Sequence, residues 1–165
     1  MKLVKQLADS VANSLGSARN YVDRRRVPVQ TGALPWRLGP RKSVEVLLVT
    51  GRRSDRWMIP KGWPMPGKSL AEAAAQEAFE EAGVTGSITP DPVGTYRHKK
   101  QLGAGMNIKL HVLVHPLCVD RELDDYPELG QRKRKWFEAG EAARRVESPE
   151  LGEIIRMCGR GAARD

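Results

Sequence analysis

The stretch from Pro60 to Val84 constrains this chain more than any other. Pro60, Gly62, Pro64, Pro66 and Gly67 forbid regular structure as far as residue 68, because proline lacks a donor and glycine holds no preferred conformation. Ser69 then opens a helix, with Glu72 three residues on in the capping-box pattern, and Gly83 supplies the left-handed stop. Between these caps Ala71, Ala74, Ala75, Ala78 and Ala82 recur at helical spacing. Such a small-residue face lets a helix lie close against a sheet. A long stiff loop feeding a short capped helix is therefore the fixed point around which the rest must be arranged.

Strands surround that point. Val44 to Thr50 is a continuous β-branched and leucine run of the kind buried in a sheet, and Gln30 to Trp36 reads as a short or edge strand broken by Pro35. Gly51 to Asp55 reads as a polar loop, followed by a brief strand at Trp57, Met58 and Ile59. Further strands are expected near residues 93–101 and 107–115, joined by a hairpin at Gly103, Ala104 and Gly105, and again from Arg132 to Phe137. Two amphipathic helices, about 138–146 and 149–158, end the chain. The order predicts an α/β domain, a mixed sheet with helices on its faces.

Upstream, Leu3, Leu7, Val11 and Leu15 draw an apolar stripe along an amphipathic helix, and Arg24, Arg25 and Arg26 follow before Pro28. Residues 1–28 are accordingly read as a helix and basic linker, and 29–165 as the main domain. The helix is expected to pack on the domain or on a second copy of the chain, so a homodimer is one assembly it permits. No run approaches the roughly 18 apolar residues of a membrane span. Cys118 and Cys158 lie far apart in sequence and share no ligand spacing with His98, His111 and His115, which argues against zinc. Lone thiols and the lack of an apolar leader give a cytoplasmic expectation.

On the central helix Glu77, Glu80 and Glu81 stand at i, i+3 and i+4, within one arc of about 100°. Like charges at these spacings cost about 0.2 to 0.5 kcal/mol per pair, and the helix dipole disfavours them in the last turns. Either the face is solvated or something positive offsets it. The adjacent glycine and proline loop can bring backbone carbonyls beside the carboxylates, and hard oxygen donors in that number suit Mg2+ or Mn2+.

The segment from Gly62 through Lys68, Gln76, Glu77, Ala78, Glu80, Glu81 and Gly83 to Val84 resembles the Nudix box: Gly, five residues, Glu, seven residues, then Arg-Glu-apolar-any-Glu-Glu-any-Gly-apolar. Two positions depart from it. Lys68 replaces the first glutamate, and Gln76 replaces the arginine that in the family helps fix the neighbouring carboxylate. Leu47 to Thr50, Asp55 to Trp57, Pro60 to Gly62 and Arg132 to Phe137 are similar to the diphosphoinositol polyphosphate and dinucleoside polyphosphate hydrolase branch. The resemblance covers about residues 30–146. It implies a Nudix-type α/β/α sandwich and hydrolysis of a phosphoanhydride bond. It also implies that Glu77, Glu81 and the Lys61 carbonyl, with Glu80 beside them, hold the metal, and that Glu80 is the candidate base for the attacking water.

Net charge is +8, which favours anionic partners. Arg52, Arg53 and Arg56 precede the box, and Arg97, His98, Lys99 and Lys100 mark a strand end; with Lys68 they are the candidate contacts to a polyphosphorylated small molecule. Trp63 reads as a packing anchor, with stacking on a base as the alternative. Aromatics are 5% of residues and no RNA-binding signature is present, so nucleic acid is expected only as an RNA 5′ end. A non-hydrolytic module of the same fold that binds polyphosphate or RNA is the competing reading.

Overall fold

A computed structural model describes residues 27–162. The expected N-terminal helix and the arginine run after it lie outside the described residues. From Val29 onward the order is β1 (Val29–Leu38), β2 (Val44–Gly51), β3 (Ser54–Met58), β4 (Lys61–Gly62), α1 (Leu70–Ala82), β5 (Val84–Ile88), β6 (Gly94–Gly103), β7 (Met106–Glu122), β8 (Arg134–Glu138), α2 (Ala139–Arg145) and α3 (Pro149–Ala162). All the strands join one mixed sheet. One apolar cluster, with Ala74, Ala78 and Ala82 of α1 packed against Ala33, Leu47, Val49, Val84 and Leu117, fills one face. A larger cluster, including Leu34, Val46, Leu48, Val112, Ala142, Leu151 and Ile155, seats α2 and α3 on the other. The fold is an α/β/α sandwich.

Alternation sorts β7 between these layers. Leu110, Val112 and Val114 go to the α3 side and Leu117 to the α1 side, as the period of two requires. Methyl side chains on α1 are what let the helix lie this near the strands. Adding bulk at Ala78, which is completely buried, would overpack the layer at a cost of about 1–3 kcal/mol.

The edge-strand expectation for residues 30–36 is overturned. β1 is central, parallel to β7 from Val29↔His111 to Trp36↔Cys118 on one side and antiparallel to β4 and then β2 on the other. Pro35 is registered with Leu117 of β7 and is tolerated because on its other side it falls between the two antiparallel ladders, after Gly32↔Lys61 and before Trp36↔Val46, where no antiparallel partner needs its missing N–H. The polar loop at 51–55 also contracts: β3 begins at Ser54, leaving Arg52 and Arg53 as the turn. β7 runs to Glu122, well past the expected end, because β5 pairs along its second half.

Candidate active site

The caps of α1 form as its sequence implies. Ser69 Oγ accepts from the Glu72 N–H at 3.1 Å, and the Glu72 carboxylate accepts from the Ser69 N–H at 2.7 Å. Gly83 closes the helix at φ 63°, and a Cβ there would strike the Tyr126 ring and the Arg134 guanidinium. No basic residue stands in the last turn. The compensation comes from the loop before β8 and from its first residue. Arg134 donates to the carbonyls of Ala82 (2.8 Å) and Leu123 (2.9 Å) and stacks over Tyr126, while the Glu128 N–H bonds the Glu80 carbonyl at 3.0 Å. A cation thus meets the negative end of the helix.

The three box carboxylates part company at this end. Glu81 is buried, 7% exposed; its Oε1 accepts from Arg132 Nη2 at 3.1 Å, and its Oε2 has no hydrogen-bond partner. Burial pushes its pKa up to about 7 despite the pull of Arg132 and Lys61. Glu77 lies against the stiff loop so closely that a Cβ on Gly62 would sit 1.9 Å from its Oε1. That contact is the physical reason for glycine at the head of the box. Its pKa is raised by burial and by the charges of Glu80 and Glu128. Glu80 accepts from Gln76 Nε2 at 2.8 Å, so the residue in the box arginine position grips Glu80. Among the described residues no three His, Cys, Asp or Glu stand close enough to hold an ion as they are.

Lys61 contributes more than a backbone carbonyl. Its ammonium is 3.5 Å from Met58 Sδ, is held below its usual pKa by burial, and feels Glu81, Arg132, Lys100 and Glu77. Lys100 and Lys61 in turn act on His98, whose pKa burial lowers to about 4. An open cleft of about 730 Å³ brings Arg53, Arg56, His98, Lys99 and Lys100 together beside Tyr96 and Trp57; Lys61 and the three carboxylates do not line it, but Lys61 feels the charge of its Lys100. His98 enters neutral at physiological pH, as a hydrogen-bonding group and not a charge. Arg56 and Arg97 are paired with Glu147 and Glu150 across the cleft.

Two candidate phosphate contacts are not in this cleft. Arg52 pairs with Glu128 beside a smaller hollow, and Lys68 is exposed on the loop near Glu72. Trp63 is 42% exposed with the Lys100 ammonium 5.2 Å from its ring centroid, so it is no buried anchor. Sequence reasoning missed Glu128, Arg132 and Arg134 as parts of the site. The signal was the pair of arginines in the Arg132 to Phe137 run.

The NUDIX domain family model matches residues 30–158. The chain belongs to the Nudix family. It is 30% identical to Nudix hydrolase 21, chloroplastic, of Arabidopsis thaliana, over 75% of this chain and 62% of that protein. It is 35% identical to diphosphoinositol polyphosphate phosphohydrolase 3-beta of Bos taurus, over 59% of this chain and 57% of the other. Among solved structures, a C. elegans Ap4A hydrolase superposes with TM-score 0.55 and 25% identity, over 79% of this chain and 95% of that one. The chain thus spans about 60% of the length of these two curated relatives. Within the Nudix domain of this chain, none of the described helices is long and apolar enough to cross a membrane.

Proposed function

We propose that this chain is a divalent-metal-dependent pyrophosphohydrolase acting on a polyphosphorylated small molecule, of the diphosphoinositol polyphosphate or dinucleoside polyphosphate kind. The observation that carries the reading is Glu81: a buried carboxylate with one oxygen held by Arg132 and the other unpartnered. The pKa of Glu77 beside it is raised by burial and then by its neighbours' negative charge. A donor set with surplus negative charge and an open, buried oxygen fits Mg2+ or Mn2+. Glu77, Glu81 and the Lys61 carbonyl would hold the ion, with Glu80 next to them. When bound, it supplies charge neutralisation on the bridging phosphates and a lower pKa for water. Glu80, held by Gln76, accepts the proton of the attacking water. Lys100, Lys99 and Arg53 hold the remaining phosphates, and Lys61, which feels both Lys100 and the carboxylates, meets the charge of the group undergoing cleavage.

Glu77, Glu80 and Glu81 do not converge as they stand, which favours as a second reading a module that binds polyphosphate or an RNA 5′ end without hydrolysis. A panel of inositol pyrophosphate, diadenosine polyphosphate, nucleoside triphosphate and capped or triphosphorylated RNA, with and without Mg2+ and with products identified, separates the two. Magnesium-dependent release of phosphate or nucleotide supports the hydrolase; tight binding without product supports the module. Two free thiols, Cys118 and Cys158, support a reducing, cytoplasmic setting.

A further inference from the structure

We infer that Arg132, outside the box, is the positioning residue that aims Glu81 at the metal, in place of the arginine missing at position 76. The inference rests on the metal-site reading above. Arg132 spends all three guanidinium nitrogens on different elements: Nε donates to Glu128 Oε2 at 2.7 Å, Nη1 to the Thr50 carbonyl at 3.0 Å, and Nη2 to Glu81 Oε1 at 3.1 Å. Its side chain is 10% exposed, and the backbone of the next residue, Lys133, is tied to Thr50. The Thr50 N–H bonds the Lys133 carbonyl, and Thr50 Oγ1 accepts from the Lys133 N–H, both at 3.0 Å. A planar fork already fixed at two corners, by Glu128 and by the Thr50 carbonyl, does not follow the carboxylate at its third; the carboxylate must follow it. The fork takes Oε1 and leaves Oε2 open.

Gln76 does not do this work, since its amide is committed to Glu80. The positive charge has moved from the helix to the loop before β8. Glu128, shared between Arg132 and Arg52, ties the same fork to the turn between β2 and β3. Arg52 is thereby a support for the site.

Charge alone makes the opposite prediction. A cation beside a metal ligand repels the metal, so removing it should tighten binding; removing a positioning group should weaken it, by about 10–100-fold for residues that orient ligands. The test is calorimetric titration of Mn2+ into the full chain, wild type and Arg132→Gln, with circular dichroism to confirm folding and kcat and KM measured at saturating and limiting metal. Expected is weaker Mn2+ binding in Arg132→Gln, a fall in kcat at limiting metal, and KM little changed. Arg132→Lys, which keeps the charge and loses the fork, should also bind Mn2+ more weakly than wild type and serves alone if the glutamine variant does not fold. Equal or tighter Mn2+ binding in the folded variants would overturn the inference. Absence of Mn2+ binding in the wild type would instead overturn the metal-site reading itself.

Discussion

Glu81→Gln should stabilise the metal-free protein, and only at high pH. The folded carboxyl titrates at about 7 against a reference of 4.5. Between those values the native state holds a proton that the unfolded chain has lost. The stability this group contributes is therefore fully present below about 4.5 and lost as pH rises through 7. The gap corresponds to roughly 3 kcal/mol at about 1.4 kcal/mol per unit, an upper figure because Glu81 and its neighbours can relax. Glutamine keeps an acceptor for Arg132 and never ionises. At pH 8 without metal the variant should gain about 1–3 kcal/mol, which at roughly 2–4 °C per kcal/mol raises its midpoint by several degrees. At pH 5 most of that gain should be gone, and below about 4.5 the two proteins should melt together. Added Mg2+ should raise the wild-type midpoint and not that of the variant, whose turnover should be largely lost. Thermal scans at both pH values, in chelator and in Mg2+, check this. A destabilised variant at pH 8, or the same gain at pH 5, would refute the account of Glu81 as a carboxylate strained by burial.

Other outcomes follow from the same geometry. Gly62→Ala drives a methyl into Glu77; metal-dependent turnover should fall at least about 10-fold, as for other losses of ligand orientation, read from steady-state rates with a thermal midpoint alongside. Lys100→Gln should raise KM for a polyphosphate substrate more than it lowers kcat. Its effect should shrink as salt is raised, since exposed charges are screened over about 8–10 Å at physiological ionic strength; a KM indifferent to salt would count against the cleft. Ala78→Leu should lower stability by about 1–3 kcal/mol in a denaturant melt, because α1 has no room for it.

The parts that could be read from sequence are those specified locally. Ser69, Glu72 and Gly83 cap α1 through contacts within a few residues of each other, and Gly103, Ala104 and Gly105 turn the hairpin with positive φ at all three. Glu77, Glu80 and Glu81 share a helix face by periodicity alone. What escaped depended on distant chain. β5 is only five residues long with Gly86, a poor strand former, at its centre, and it is held by the edge that β7 offers it. Lys68 lies within the box and Arg52 shortly before it, yet neither lines the cleft, whereas Arg132 is far along the chain and in contact with Glu81. The Lys61 side chain was missed for another reason: only the backbone at that position belongs to the motif.

The parallel ladder between β1 and β7 also sets a timetable for synthesis. β1 leaves the ribosome first among the described strands, yet its parallel neighbour, residues 111–118, is made some eighty residues later. Pairings of such separation form slowly, and unpaired strand edges invite association. Until β7 emerges, β1 has only β2 and the two-residue β4 as sheet partners, and α1 has nothing complete to lie on. The nascent chain must therefore carry α1, complete at Ala82, without its full sheet until β7 ends at Glu122 some forty residues later, and the layer of α2 and α3 can be laid down only after that.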